Sequence, residues 1–182
     1  LYDAAKRLDL KTVKELASNG VINHEAFLSA SDIQSICNGH VEDKLFNLYE
    51  TLLLAGHPLP AGYMRSSIVG LICRQNKDNW GRSNPLLKDI FGNPDYSYTD
   101  QLAHFVSAGN ILCNMGNLEA LKMLLENNAS EEKLKEVYEK NKTVSFPYFL
   151  FEGINDFEDI QFTQDKLECL EYFLELFPEN FW

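Results

Sequence analysis

One run of residues returns along this chain, and that recurrence limits the fold more than any local feature. Leu10-Lys11-Thr12-Val13-Lys14-Glu15-Leu16-Ala17-Ser18-Asn19-Gly20 comes back as Leu118-Glu119-Ala120-Leu121-Lys122-Met123-Leu124-Leu125-Glu126-Asn127-Asn128. It comes back again, without its end, over residues 167–175. Within the run, Leu10, Val13, Leu16 and Ala17 fall at helical spacing, as do Leu118, Leu121, Leu124 and Leu125. Self-similarity of this kind is the mark of stacked repeats, in which no unit buries its apolar face alone.

The period is carried by residues suited to closing a helix. Gly20, Gly56, Gly92 and Asn128 stand 36 positions apart, and Gly and Asn accept the left-handed conformation that ends many helices. Before each lies an apolar helical stretch, at 13–17, 48–54, 86–91 and 121–125. Before each of those lies another, at 1–7, 25–37, 63–75 and 99–113. β-branched residues are few and alternating strands are absent. The pattern predicts an all-α helical-repeat solenoid of four to five antiparallel helix pairs with irregular connections.

The units are unequal. The third carries a polar insert, 75–84, that includes Trp80-Gly81-Arg82. After Asn128, residues 130–142 read as a solvated helix with Ser130 as N-cap and Glu131 and Glu132 at its positive end. Residues 143–182 read as an atypical acidic and aromatic terminal repeat or cap on the same solenoid formed by 1–142. Its last helix is expected over 165–177, stopped by Pro178.

Charge narrows the partners. The chain has a formal net charge of −11, which disfavours nucleic acid and anionic membranes because both select positive surfaces. No apolar run reaches membrane-spanning length, so no membrane span is expected. The charge is uneven. Residues 61–92 carry five cations (Arg65, Arg74, Lys77, Arg82, Lys88) against Asp78 and Asp89, whereas 151–182 carry nine carboxylates against Lys166 alone. Cys37, Cys73, Cys113 and Cys169 form no CxxC pair and no zinc-spaced cluster, which fits a reduced intracellular compartment. Cys113 aligns with Ala5 across the repeat and so reads as a small buried residue. The chain opens at Leu1, and is read as a piece of a longer polypeptide whose targeting signal lies elsewhere.

The units resemble ankyrin repeats, which pair two antiparallel helices in a period of about 33 residues. The resemblance rests on Ala4-Ala5-Lys6-Arg7-Leu8-Asp9-Leu10 with Val13-Lys14-Glu15-Leu16. It rests also on Asn38-Gly39-His40-Val41-Glu42 with Leu52-Leu53-Leu54-Ala55-Gly56, and on Asn114-Met115-Gly116-Asn117-Leu118-Glu119 with Leu124-Leu125-Glu126-Asn127-Asn128-Ala129. About half of the chain is covered. The Thr-Pro-Leu-His box that opens the family's first helix is absent, so the resemblance implies neither that box's inter-repeat hydrogen bonds nor the β-hairpin fingers. Degenerate, Asn-rich arrays are also similar to the ankyrin-like modules of bacterial effector proteins injected into host cells. That likeness implies a protein partner, a host protein in the effector case, and a cytoplasmic setting, that of the host for a secreted effector.

Two sets of residues are candidate partner contacts. Tyr63, Arg65, Arg74, Trp80 and Arg82 bring aromatic rings and guanidinium groups into the one cationic stretch, and such residues dominate binding hot spots. In the competing reading, Trp80 plugs the gap made by the insert and the arginines pair with the acidic C-terminal segment. His57, Tyr96 and Tyr98 belong to connections after the closing glycines, where repeat arrays often bind. Gly56-His57-Pro58 and Gly92-Asn93-Pro94 are equally ordinary turn formers.

Chemistry is harder to find. Cys37 and His40 are three apart, and His104 and Cys113 nine apart, but neither pair has an orienting group or oxyanion site legible beside it. No phosphate loop, HExxH, EF-hand or Gly-x-Ser-x-Gly pattern occurs. The carboxylates of 152–179 lack calcium-loop spacing. The expectation is therefore a monomeric, non-enzymatic protein-binding module needing no cofactor or metal, with Tyr63, Trp80 and Arg82 as anchors on a concave face. The alternatives are an array that packs against an adjoining catalytic domain and positions its substrate, and, remotely, a Cys-dependent hydrolase.

Overall fold

The computed structural model describes residues 1–36, 39–96, 102–128 and 160–176. Every regular element among them is helical. In chain order these are α1 (Tyr2–Lys6), α2 (Leu10–Ser18), α3 (Ala30–Ile36), α4 (Val41–Leu54), α5 (Tyr63–Cys73), α6 (Trp80–Gly92), α7 (Leu102–Met115), α8 (Leu118–Asn128) and α9 (Ile160–Leu176). Short 3-10 turns at His24–Ala26, Lys77–Asn79 and Pro94–Tyr96 join them. The chain divides into two compact units, Leu1–Ile72 and Cys73–Trp182. The expected boundary at residue 142 lies outside the described residues.

The repeat is real at the level of single hydrogen bonds. At the end of α1, the Leu8 N–H donates to the Ala5 carbonyl (2.9 Å) and the Asp9 N–H to that of Ala4 (3.0 Å). Leu8 takes φ +54, and the chain doubles back into α2. The Leu10 N–H then reaches the Leu8 carbonyl (3.0 Å), the Val13 N–H that of Asp9 (2.9 Å), and the Thr12 N–H the Asp9 carboxylate (3.2 Å). Three periods later the same five bonds recur. Gly116 donates to Cys113 (3.0 Å), Asn117 to Leu112 (2.9 Å), Leu118 to Gly116 (3.0 Å), Leu121 to Asn117 (3.0 Å), and the Ala120 N–H to Asn117 Oδ1 (3.1 Å). Both turns satisfy carbonyls that a helix end would otherwise strand, and both hand the chain to a side-chain N-cap.

In the first unit α1 packs on α2 and α3 on α4, while α2 lies against α4 and α1 against α3. That is the contact pattern of two stacked helix pairs. The sequence predicts a single helix over 25–37, but the structure breaks it. Ser29 starts α3 through a reciprocal cap, in which the Ser29 N–H donates to the Asp32 carboxylate (2.8 Å) and the Asp32 N–H to Ser29 Oγ (3.3 Å). The break lets Phe27 and Leu28 enter the core, and the Leu28 carbonyl it frees accepts from the Tyr49 hydroxyl of α4.

In the second unit α7 pairs with α8, α9 packs on both, and the broadest contact is between α6 and α8. Leu121, Leu124 and Leu125 are buried there, whereas their counterparts in α2 include a fully buried Val13 but only half-buried Leu16 and Ala17. The difference follows from neighbours, because α8 is covered by α6, α7 and α9. Between α6 and α8 lies a buried amide pair. Asn117 Nδ2 donates to Asn84 Oδ1 (2.8 Å), and Asn84 Nδ2 donates to the Glu119 carboxylate (2.8 Å).

Two further expectations change. Gly20 and Gly56 close α2 and α4 with left-handed φ of +78° and +81°, but Gly92 does not take that role. It is the last residue of α6, and the chain leaves through an extended Asn93 (φ −87°, ψ 116°). Pro94 explains the difference, since a residue before proline is driven to the extended region. The polar insert at 75–84 is largely helical. Its second half is the first turns of α6, which start six residues earlier than the apolar pattern implies. Gly81 and Pro85 weaken the local helical signal, and the burial of Ser83, Asn84 and Leu86 overrides them.

Two predictions follow from these turns. At Gly116 a Cβ would stand 2.8 Å from Asp165 Cβ of α9, whereas at Gly20 it would meet nothing within 4 Å. Gly20→Ala is expected to cost about 1 kcal/mol through left-handed strain alone, and Gly116→Ala a further ~1–3 kcal/mol of overpacking, measured by denaturant titration. Asn117→Ala removes a helix cap and strands the Asn84 side-chain carbonyl, while Asn84 Nδ2 keeps its bond to Glu119, so the Cys73–Trp182 unit is expected to lose about 2–3 kcal/mol in the same assay.

Candidate functional site

The predicted contacts divide between the two units. Tyr63, the first residue of α5, is the most exposed large apolar side chain among the described residues, at 85%. Arg65, half-buried one position past the next residue, turns its Nε onto the Pro60 carbonyl (3.0 Å) and so ties the first turn of α5 to the chain before it. His57 lies inside the fold at 5% exposure, although its sequence position is a turn. Its Nε2 accepts the Asn23 N–H at 3.2 Å, and its ring meets Phe27 edge to face at 5.4 Å. Burial holds the imidazole below its ordinary pKa, which keeps it neutral and able to accept that bond.

In the second unit Trp80 opens α6, half-buried. Its indole N–H donates to the Gln75 carbonyl (3.0 Å), and Asn79 Nδ2 donates to Gln75 Oε1 (3.1 Å). The Lys77 ammonium sits 5.6 Å from the Trp80 ring centre and pairs with Asp165 of α9. Trp80 is thus built into the junction that starts α6. Lys77 bridges this region to an acidic residue of α9. Arg74 and Arg82 are exposed, and Tyr96 is half-buried in the 3-10 turn Pro94–Tyr96. Tyr98 lies outside the described residues.

Of the exposed apolar side chains that sequence reasoning passed over, the two most exposed are Ile22 (64%) and Leu54 (69%). They flank the Asn23–His57 bond in sequence, Ile22 in the connection after α2 and Leu54 as the last residue of α4. An apolar residue beside each helix-closing glycine is the signal that was available.

Cys37 lies outside the described residues, as does the side chain of His104. His40 is exposed, takes φ +46 at the start of α4, and faces Asp43 at 3.6 Å. Cys73, Cys113 and Cys169 are buried, and burial raises all three thiols, Cys169 to about 12. Among the described residues no group of three or more His, Cys, Asp or Glu side chains is arranged to hold a metal, and no helix is long and apolar enough to cross a membrane. Comparison with protein-family models, with curated proteins and with solved structures finds no match for this chain.

Thiols that are both buried and held protonated react slowly. Cys73, Cys113 and Cys169 are therefore expected to resist a thiol reagent at pH 8 in the native protein and to label fully in denaturant, with peptide mass spectrometry resolving each site.

Proposed function

We propose that this chain is a non-enzymatic protein-binding module built as a degenerate ankyrin-like array. The observation that carries the reading is the recurrence of the Leu8-Asp9 turn at Gly116-Asn117, bond for bond. A chain that spends its sequence on repeating one turn is making a scaffold, and scaffolds of stacked helix pairs present extended surfaces to partners. Where the ankyrin family ties its repeats through its Thr-Pro-Leu-His box, this chain has other polar ties: the Asn84–Asn117 amides, and the Asn23–His57 bond.

The anchors of this proposal are Tyr63 and Arg82, both exposed. Trp80 contributes by fixing the start of α6 on which Arg82 stands. A protruding tyrosine offers a large contact area for little rotamer entropy, and an arginine fork suits a carboxylate-bearing partner. The acidic balance of the chain (−11) turns the partner class away from nucleic acid.

The test is affinity capture with the immobilised chain, comparing wild type, Tyr63→Ala and Arg82→Ala at matched helical circular dichroism. A hot-spot anchor of about 2 kcal/mol or more corresponds to a loss of bound partner exceeding tenfold. Capture of the same proteins in the same amounts by all three would overturn the reading.

A further inference from the structure

The contact between the connection after α2 and the connection after α4 depends on one nitrogen atom. The Asn23 N–H, three residues beyond the Gly20 closure, donates to Nε2 of His57, one residue beyond the Gly56 closure. The two residues are 34 apart in sequence, so this bond joins the ends of successive helix pairs. An imidazole accepts through Nε2 only while neutral, because both ring nitrogens of the cation are donors. His57 is also closed in from the side of the 3-10 turn His24–Ala26. The His24 ring stands edge-on at 6.2 Å and the Phe27 ring at 5.4 Å.

We infer that the Asn23–His57 bond is an acid-released latch: protonating His57 turns its acceptor into a donor facing another donor, and frees the connection 19–23 from the connection 55–60. His57 is the right group for this. It is 5% exposed, its Nδ1 is buried, and among the described residues no carboxylate acts on the ring to offset a new positive charge. Among the described residues, the one titratable group whose charge acts on it is His24, and that charge opposes a second one. On its own connection Pro58 supplies a carbonyl that favours the protonated ring, a smaller effect than burial. The Asn23 side chain is already engaged, with Oδ1 accepting the Glu25 N–H at 2.9 Å, so it offers the cation no ready replacement.

The direction of the pH effect follows. A histidine whose folded-state pKa lies below the ordinary value of about 6.5 favours the folded form in full above that pH. The contribution drains away as pH falls toward and through the folded value. Release is therefore an acid event, and the residues it frees include Val21 and Ile22, already 40% and 64% exposed.

The test follows the Asn23 amide in the full chain by NMR hydrogen exchange, expressed as a protection factor to remove the intrinsic pH dependence. Wild type is expected to lose up to about tenfold protection at Asn23 between pH 7.5 and 5.5, because the opened form takes up its proton at the ordinary histidine pKa, before the packed ring titrates. His57→Gln keeps a side-chain acceptor that does not titrate, so its Asn23 protection is expected to stay flat over that range. His24→Gln removes the neighbouring charge and is expected to keep the pH response with a higher midpoint. Constant protection in wild type, an equal fall in His57→Gln, or loss of the response in His24→Gln would each overturn the latch. The first of these is read without any variant, so a folding failure in a mutant does not shelter the proposal.

Discussion

The architecture depends on how a helix is made to stop. A helix that ends inside a packed array leaves carbonyls without partners, and water is not freely available to take them. This chain answers with a left-handed residue whose N–H, and that of the next residue, reach back to the last turn. The device appears at Leu8, Gly20, Gly56 and Gly116. Because it fixes the direction in which the chain leaves, it also fixes where the next helix lies. A leucine in the first of these positions carries a steric cost that glycine avoids, yet the bond set around it matches that at Gly116.

Given those turns, apolar burial supplies the bulk of the cohesion and polar ties set the alignment of neighbouring helices. Asn84 and Asn117 illustrate the second part. Each amide is almost fully buried, and each satisfies the other while Asn117 also caps α8. A buried amide pair contributes only modest net stability but makes any shifted alignment of α6 and α8 expensive, since it would strand both side chains. Tyr49 acts similarly in the first unit, where its hydroxyl fills the carbonyl freed by the break before α3.

The rings and cations that sequence singles out fall into three physical situations. Tyr63 and Arg82 are exposed, Trp80 is half-buried and helps to start α6, and His57 is buried in the first unit. Residue type alone did not separate them, because each is as useful for closing a junction as for meeting a partner.

The sequence by itself determined the helical class, most of the helices and the period. Helical spacing of leucines and helix-closing glycines are local signals; α2, α4 and α8 cover the apolar stretches so marked, and α5 and α7 overlap those expected over 63–75 and 99–113. The Ser29-x-x-Asp32 cap was also legible in principle, since its bonds span only three residues. Tertiary structure alone decided the rest. It extended α6 through Gly81 and back to Trp80, because burying Ser83, Asn84 and Leu86 outweighs weak local propensity. It buried His57 by bringing Asn23 to it from 34 residues away. It made Gly116 a contact point for α9 while leaving Gly20 open, although the two glycines share a backbone conformation. In each case the deciding neighbour is distant in the chain, and spacing along a sequence carries no record of what lies across a packed interface.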